Sequence, residues 1–268
     1  MIHLQSIQLN LPPEQAEVFP FHIPAIRSLT TLAFTTPVTF LVGENGSGKS
    51  SLLEALALAA GSIVAGSSEL GGDESLNGVK PLAHRLKLTW SKRTRKGFFL
   101  RSEDYFGYVR RLARMRQELE RDLREVDTDY KGRSQYARDL ASLPYRRELH
   151  DLNHQYGGDL DSRSHGESFL SFFQARFVPD GLYLLDEPEA PLSPLRQMSL
   201  IALLKTMVND HNAQFIIATH SPILMAFPGA TILNFDAAPI ASVAYDDLEH
   251  VRLTRDFLNN PAQFLKHL

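Results

Sequence analysis

The chain has 268 residues, of which 43% are hydrophobic and 22% charged, and its formal net charge is -3. That length allows one large α/β domain with an insertion, and a charge balance this close to neutral excludes a global basic field for nucleic acid or membranes. The absence of cysteine excludes disulfides, thiolate metal sites and cysteine nucleophiles, which fits a cytoplasmic protein; no basic leader opens the chain, and no apolar run reaches the about 18 residues of a membrane span.

In chain order, Ile2, Leu4, Ile7 and Leu9 fall at strand spacing, and HIPAIRSL and TPVTFLVG read as further short strands punctuated by Pro and Thr. VTFLV runs directly into GENGSGKS, and SSLLEALALAA follows with the composition of a helix, so the order is strand, loop, helix. Residues 61–79 are rich in Gly and Ser and read as a flexible connection. RLKLTW and GFFLRSE resemble the two strands of a hairpin with SKRTRK as its basic tip. From about 104 to 162, Arg, Asp and Glu dominate with opposite charges three or four apart, which predicts a solvated helical insertion in a single domain spanning 1–268.

Beyond the insertion, SHGESFLSFFQARF reads as a helix and GLYLLDEP as a buried strand ending in acids. LRQMSLIALLKTMVNDH is a second helix, and AQFIIATHSP and TILNFD are strands. Strands alternating with helices predict an α/β fold, a mostly parallel sheet covered by helices, with an antiparallel N-terminal β part.

Three stretches carry chemistry. Gly43 to Ser50 matches the phosphate-binding pattern without a mismatch. Gly43, Gly46 and Gly48 let the backbone turn successive N–H groups toward phosphate oxygens at a helix N-terminus. Lys49 supplies positive charge to the outer phosphates and the Ser50 hydroxyl is a ligand for Mg²⁺, while Glu44, Asn45, Ser47 and Ser51 complete the cradle. Next, Asp186 ends an apolar strand and is suited to hold Mg²⁺; Glu187 beside it is suited to polarise an attacking water. Finally, FIIATHSP ends in Thr219, His220 and Ser221, and His220 there is a donor toward the γ-phosphate or the water.

The order of these elements resembles the ABC-type ATPase family, in particular the small soluble ATPases labelled AAA-like and related to SMC and RecF heads. The resemblance covers most of the chain outside the charged insertion. It makes Gly43 to Ser50 the Walker A loop, Leu182 to Asp186 with Glu187 the Walker B element, and His220 the switch histidine. SHGES stands where the family has LSGGQ or LSGGE: Ser164, Gly166 and Glu167 match, and His165 replaces a glycine. Ala190 to Pro194 occupies the D-loop position in altered form. Glu189 in DEPEA is closer to SMC and RecF than to transporter subunits.

The resemblance implies ATP and Mg²⁺ as cofactors and a homodimer in which Ser164 of one copy meets ATP held by the other. Transporter ATPases carry a glutamine at the end of a strand between Walker A and the signature. Here that strand end reads FFLRSEDYF, with Glu103 or Asp104 as substitutes, while Gln117, Gln135 and Gln155 lie in the charged region. For the adenine, Phe19, Phe21 and Arg27 are candidates. The expected function is an ATP-gated dimerisation switch in DNA repair, maintenance or defence, with SKRTRK and RRLARMR offering local positive charge for DNA. The alternatives are the ATPase subunit of a membrane transporter and a regulator that binds a partner protein.

Overall fold

VTFLV, LYLLD and QFIIA lack polar alternation, a pattern that requires a sheet covered on both faces. In the computed structural model all three are fully buried neighbours in one such sheet. The structure describes residues 1–12, 16–64, 74–155 and 165–266; at 64, 74–75, 104, 106, 108–109, 111–112, 152–155 and 165–168 only the backbone is described.

The described chain runs β1 (Leu4–Leu9), α1 (Pro24–Arg27), β2 (Thr31–Ala33), β3 (Val38–Val42), α2 (Lys49–Ala60), β4 (Ile63–Val64), α3 (Lys80–Arg85), β5 (Leu86–Trp90) and β6 (Phe98–Arg101). It continues with α4 (Ser102–Asp129), α5 (Gln135–Gln155), α6 (His165–Arg176), β7 (Leu182–Asp186), α7 (Pro194–His211) and β8 (Gln214–Ala218). The last elements are α8 (Pro222–Met225), β9 (Thr231–Asn234), β10 (Ala241–Ser242), α9 (Glu249–Asn259) and α10 (Pro261–Leu265).

The large sheet has the order β10-β9-β3-β8-β7-β6-β4 and is parallel throughout except for β10 against β9. The small sheet, β2-β1-β5, is antiparallel. Gln214 at the start of β8 joins the two: its side-chain oxygen accepts the N–H groups of His3 and Leu4 at 2.8 Å each, and its amide donates to the Leu4 carbonyl at 2.9 Å. These bonds satisfy the backbone of the small sheet's leading end inside the core, where an unpaired amide is costly.

Successive side chains of a strand face opposite ways, and the core divides accordingly. Leu182 and Leu184 pack with Leu52, Leu53 and Leu56 of α2, while Tyr183 and Leu185 pack with Phe169 and Phe173 of α6 and with Leu200 and Leu204 of α7. Burial pushes the Tyr183 hydroxyl up to about 12; it both accepts from the Val178 N–H and donates to the Val178 carbonyl.

Two sequence expectations are corrected. HIPAIRSL is not a strand: Pro24 opens the short helix α1, where its fixed φ suits the first helical position. RLKLTW and GFFLRSE are not a hairpin, because β5 pairs with β1 and β6 with β4 and β7, so SKRTRK crosses from one sheet to the other. The burial patterns carry the reason: β5 alternates and suits a half-covered antiparallel sheet, whereas β6 is buried at every position. Of the Gly- and Ser-rich stretch, residues 65–73 lie outside the described residues; the rest holds β4 and a 3₁₀ turn over Glu74–Val79. The charged stretch forms the long helices α4 and α5, packed against each other.

Candidate functional site

The strand β3 delivers Gly43 to Ser50 to the carboxyl edge of the large sheet, and α2 starts at Lys49. Gly43, Gly46 and Gly48 have φ of 143°, 83° and 101°, conformations that side chains disfavour. At Gly48 space is also limiting, since a Cβ would stand 3.0 Å from Ile23 Cγ2 and 3.2 Å from Ile26 Cδ1. The α1 segment thus packs directly beneath the loop.

Lys49 is 5% exposed, and its ammonium donates to the carbonyls of Gly43 at 2.7 Å and Glu44 at 2.9 Å. Burial holds its pKa below the usual lysine value, opposed by the charges of Asp236, Asp186, Glu187 and Glu44. The lysine is therefore parked on its own loop, and an arriving phosphate exchanges with those carbonyls.

On the far side of the loop, Ser50 donates its hydroxyl to Asp186 Oδ1 at 3.2 Å. Asp186 is 9% exposed, and burial pushes its carboxyl up to about 7, against the Ser50 hydrogen bond, which favours the charged form. A hydroxyl and a nearly buried carboxylate in contact form a donor set suited to Mg²⁺, which takes one or two protein oxygens and completes its octahedron with phosphates and water. Among the described residues no group of three His, Asp or Glu side chains forms a separate metal cage. The Asp186 side also opens into a cavity of about 260 Å³ lined by Ser50, Glu54, Arg101, Ser102, Glu103 and Glu187.

Glu187 is exposed and has φ of 49°, left-handed for a residue with a side chain, while its N–H donates to the Ala218 carbonyl at 2.9 Å. Such a conformation costs about 1 to 3 kcal/mol and recurs where a side chain must be aimed. It turns Glu187 into a cavity of about 240 Å³ shared with Asn45, Gly46, Gly48, Lys49, Ser50 and Ser51, with Phe19 and His22 on its outer wall.

Because β8 lies between β3 and β7, its end places Thr219 and His220 between the loop and the acids. Glu189 holds them: its Oε1 accepts the Thr219 hydroxyl and the His220 N–H at 2.7 Å each. Ser221 donates to Gln197 Oε1 at 2.5 Å, so the segment after β7 grips the histidine loop at two places. Burial raises the Glu189 carboxyl, with the Thr219 hydrogen bond opposing. The His220 ring itself lines a larger cleft, about 680 Å³, together with Gly43, Glu44, Asp236 and His250.

The structure thus brings Lys49, Ser50, Asp186, Glu187 and His220 around one edge. Of the signature candidates, Ser164 lies outside the described residues, and Gly166 and Glu167 lie in the first turn of α6 with only their backbone described. Of the adenine candidates, Phe19 is 48% exposed at the loop cavity, whereas Phe21 is 2% exposed in the core. Arg27 pairs with Glu17 at 3.1 Å and does not line the clefts beside the loop. Glu103 reaches the Asp186 cavity; the side chain of Asp104 is outside those described.

Sequence reasoning missed three contributors. Ser102 donates to the carbonyls of Asp186, at 3.3 Å, and Glu187. Arg101, at 7% exposure, pairs with Glu54 at 3.3 Å. Asp236 accepts the Glu44 N–H at 2.8 Å. Only Asp236 left a signal: like Asp186, it follows an apolar strand of the parallel sheet.

A glycine loop between β3 and α2, a serine–aspartate pair beneath it and polar groups at neighbouring strand ends define a P-loop nucleotide-binding protein. Two family models match the chain, one described as an AAA domain over residues 21–120, which contains the loop, and one as an AAA ATPase domain over 109–225, which contains the acids and His220. Together the two models span residues 21–225, and the chain is an ATPase of the AAA type. A comparison with curated proteins finds no match. Solved structures similar in fold include a metal-chelate type ABC transporter in an inward-facing conformation, at 16% identity over 93% of this chain and 86% of that one, TM-score 0.45. The SMC head domain from Thermotoga maritima is 16% identical over 90% and 98%, TM-score 0.41. The cbiO1 protein from Clostridium perfringens, part of an ABC transporter complex, is 15% identical over 100% of both, TM-score 0.41. At such scores these likenesses decide nothing about function.

Proposed function

We propose that the chain hydrolyses ATP with Mg²⁺ as an ATP-gated dimerisation switch acting on DNA. The observation that carries the chemistry is the 3.2 Å contact between Ser50 and the nearly buried Asp186, under a glycine loop whose lysine is already in place. Bound there, Mg²⁺ supplies charge neutralisation for the outer phosphates. Lys49 leaves its two carbonyls for the β- and γ-phosphates, and the loop amides bind the polyphosphate. Glu187, exposed and aimed into the cavity, orients the attacking water, and His220 donates toward the γ-phosphate. Phe19 stands at the cavity's outer wall as the stacking partner for adenine.

What supports dimerisation is the openness of this edge, where Glu187 and His220 are exposed; in this reading the Ser164, Gly166 and Glu167 motif of a second copy closes the site. Hydrolysis then releases the pair. For DNA, the support is the exposed crossover carrying Lys92, Arg93, Arg95 and Lys96, of which Lys96 lies 3.9 Å from Asp180. A reading as a regulator of a partner protein has its own support, since Tyr136, Leu140 and Leu143 of α5 are exposed at one-face helical spacing. The transporter reading has less, because β6 ends at Arg101 and Ser102 follows it, where that role uses a glutamine.

The test is light scattering of Glu187→Gln with and without ATP and Mg²⁺, repeated with duplex and single-stranded DNA. An ATP-dependent dimer that retains DNA, with affinity falling steeply in salt, is expected. A monomer under all conditions refutes the switch. A dimer indifferent to DNA moves the reading to a protein partner.

A further inference from the structure

The Gly43–Glu44 peptide is gripped from both sides by side chains of opposite charge. Its N–H donates to Asp236 Oδ1 at 2.8 Å, and its carbonyl accepts from Lys49 Nζ at 2.7 Å. In a trans peptide these two groups point in opposite directions within the peptide plane, so the carboxylate and the ammonium hold the unit from opposite edges. Hydrogen bonds with a charged partner are shorter and stronger than neutral ones, and here a single peptide makes one at each end.

Asp236 is itself firmly placed. It follows β9, where Asn234 stands opposite Val42 of β3, and the Phe235 N–H extends that ladder to the Val42 carbonyl at 2.8 Å. The Asp236 N–H donates to Asn234 Oδ1 at 2.9 Å. The approach to the loop depends on a missing side chain: a Cβ on Gly43 would stand 2.8 Å from Asp236 Oδ1. Glycine at 43 therefore answers to Asp236 as well as to its own φ of 143°.

We infer that Asp236 is a positioning residue of the phosphate-binding loop: by holding the Glu44 N–H it fixes the Gly43–Glu44 peptide, whose carbonyl keeps Lys49 poised for the polyphosphate before nucleotide arrives. The role rests on the ATPase reading and adds to it a residue outside the glycine motif. Asp236 acts through backbone rather than by touching substrate, and its negative charge works against the incoming phosphates. Geometry and charge therefore have opposite effects on affinity, and two substitutions separate them. Asp236→Ala removes both. Asp236→Asn keeps an oxygen acceptor for the Glu44 N–H and removes the charge.

The experiment measures the dissociation constant of a fluorescent ATP analogue with Mg²⁺, together with kcat and KM, for wild type and both variants. Asp236 is exposed, so truncation leaves no cavity, and the melting temperature without nucleotide checks the fold. Asp236→Ala is expected to bind about tenfold more weakly, equivalent to about 1.4 kcal/mol, with the loss in KM and kcat within about twofold. Asp236→Asn is expected to bind within about threefold of wild type or more tightly. Binding by Asp236→Ala within about twofold of wild type overturns the inference, as does an Asn variant as weak as the Ala variant. Wild-type protein that fails to bind the analogue overturns the ATPase reading and this inference together.

Discussion

Replacing Asp186 by Asn is expected to stabilise the nucleotide-free protein while abolishing hydrolysis. The carboxyl is 9% exposed, and burial moves it from 3.8 to about 7. Between those values the folded protein binds more protons at this site than the unfolded chain does, so stability falls as pH rises through the window and is flat above it. At 1.36 kcal/mol per pH unit, the charged carboxylate costs about 4 kcal/mol above pH 7, as an upper bound. The amide carries no charge and still offers Ser50 an acceptor, so about 1 to 3 kcal/mol of that is recovered. For a chain of this size that raises the melting temperature by about 2 to 10 °C. The assay is thermal unfolding without nucleotide and with chelator, at pH 8 and at pH 5. The Asn variant is expected to melt higher at pH 8, and the gap to shrink at pH 5 as the wild-type carboxyl protonates. A variant that melts lower at pH 8, or a gap of the same size at both values, refutes the reasoning.

Other perturbations have different signatures. Glu189→Ala leaves the buried Thr219 hydroxyl and the His220 N–H without their acceptor, so kcat should fall about 10- to 100-fold with KM for ATP nearly unchanged, while Glu189→Gln restores most of the rate. Equal kcat for the two variants in steady-state assays argues against Glu189 as the support of His220. Gly97→Ala should lose at least about 2 kcal/mol, because φ there is 105° and a Cβ would fall 1.9 Å from the Leu182 carbonyl oxygen at the β6–β7 edge. Urea unfolding measures it, and a wild-type midpoint would show that the strand end yields freely.

Much of the candidate site was legible because its residues sit in local patterns. The loop, Asp186 with Glu187, and His220 each follow an apolar strand, and a parallel sheet brings the ends of such strands to one edge whatever the detail of the loops. What the sequence hid was pairing. The LKLTW and FFLR segments look alike as short apolar runs joined by a polar turn, yet the alternation in the first and its absence in the second already assigned them to different sheets. The gripping contacts were hidden for another reason: Glu189, Ser102 and Asp236 each hold groups far away in the chain, and no local spacing encodes such a contact even where the residue itself stands out. HIPAIR read as extended because Pro punctuates strands and helix starts alike, and only the packing of Ile23 and Ile26 under Gly48 tells them apart.

The root of α4 gives the molecule a mechanical advantage. Ser102, its first residue, is bonded to the carbonyls of Asp186 and Glu187, and Tyr105 one turn on is buried against Phe169. From that anchor the helix continues for 28 residues, about 42 Å at 1.5 Å per residue. A tilt of about 10° at the base sweeps the far end through roughly 7 Å by the same geometry. Any sub-ångström shift of the two acids that tilted the helix at this root would displace the tip of the charged arm by several ångström.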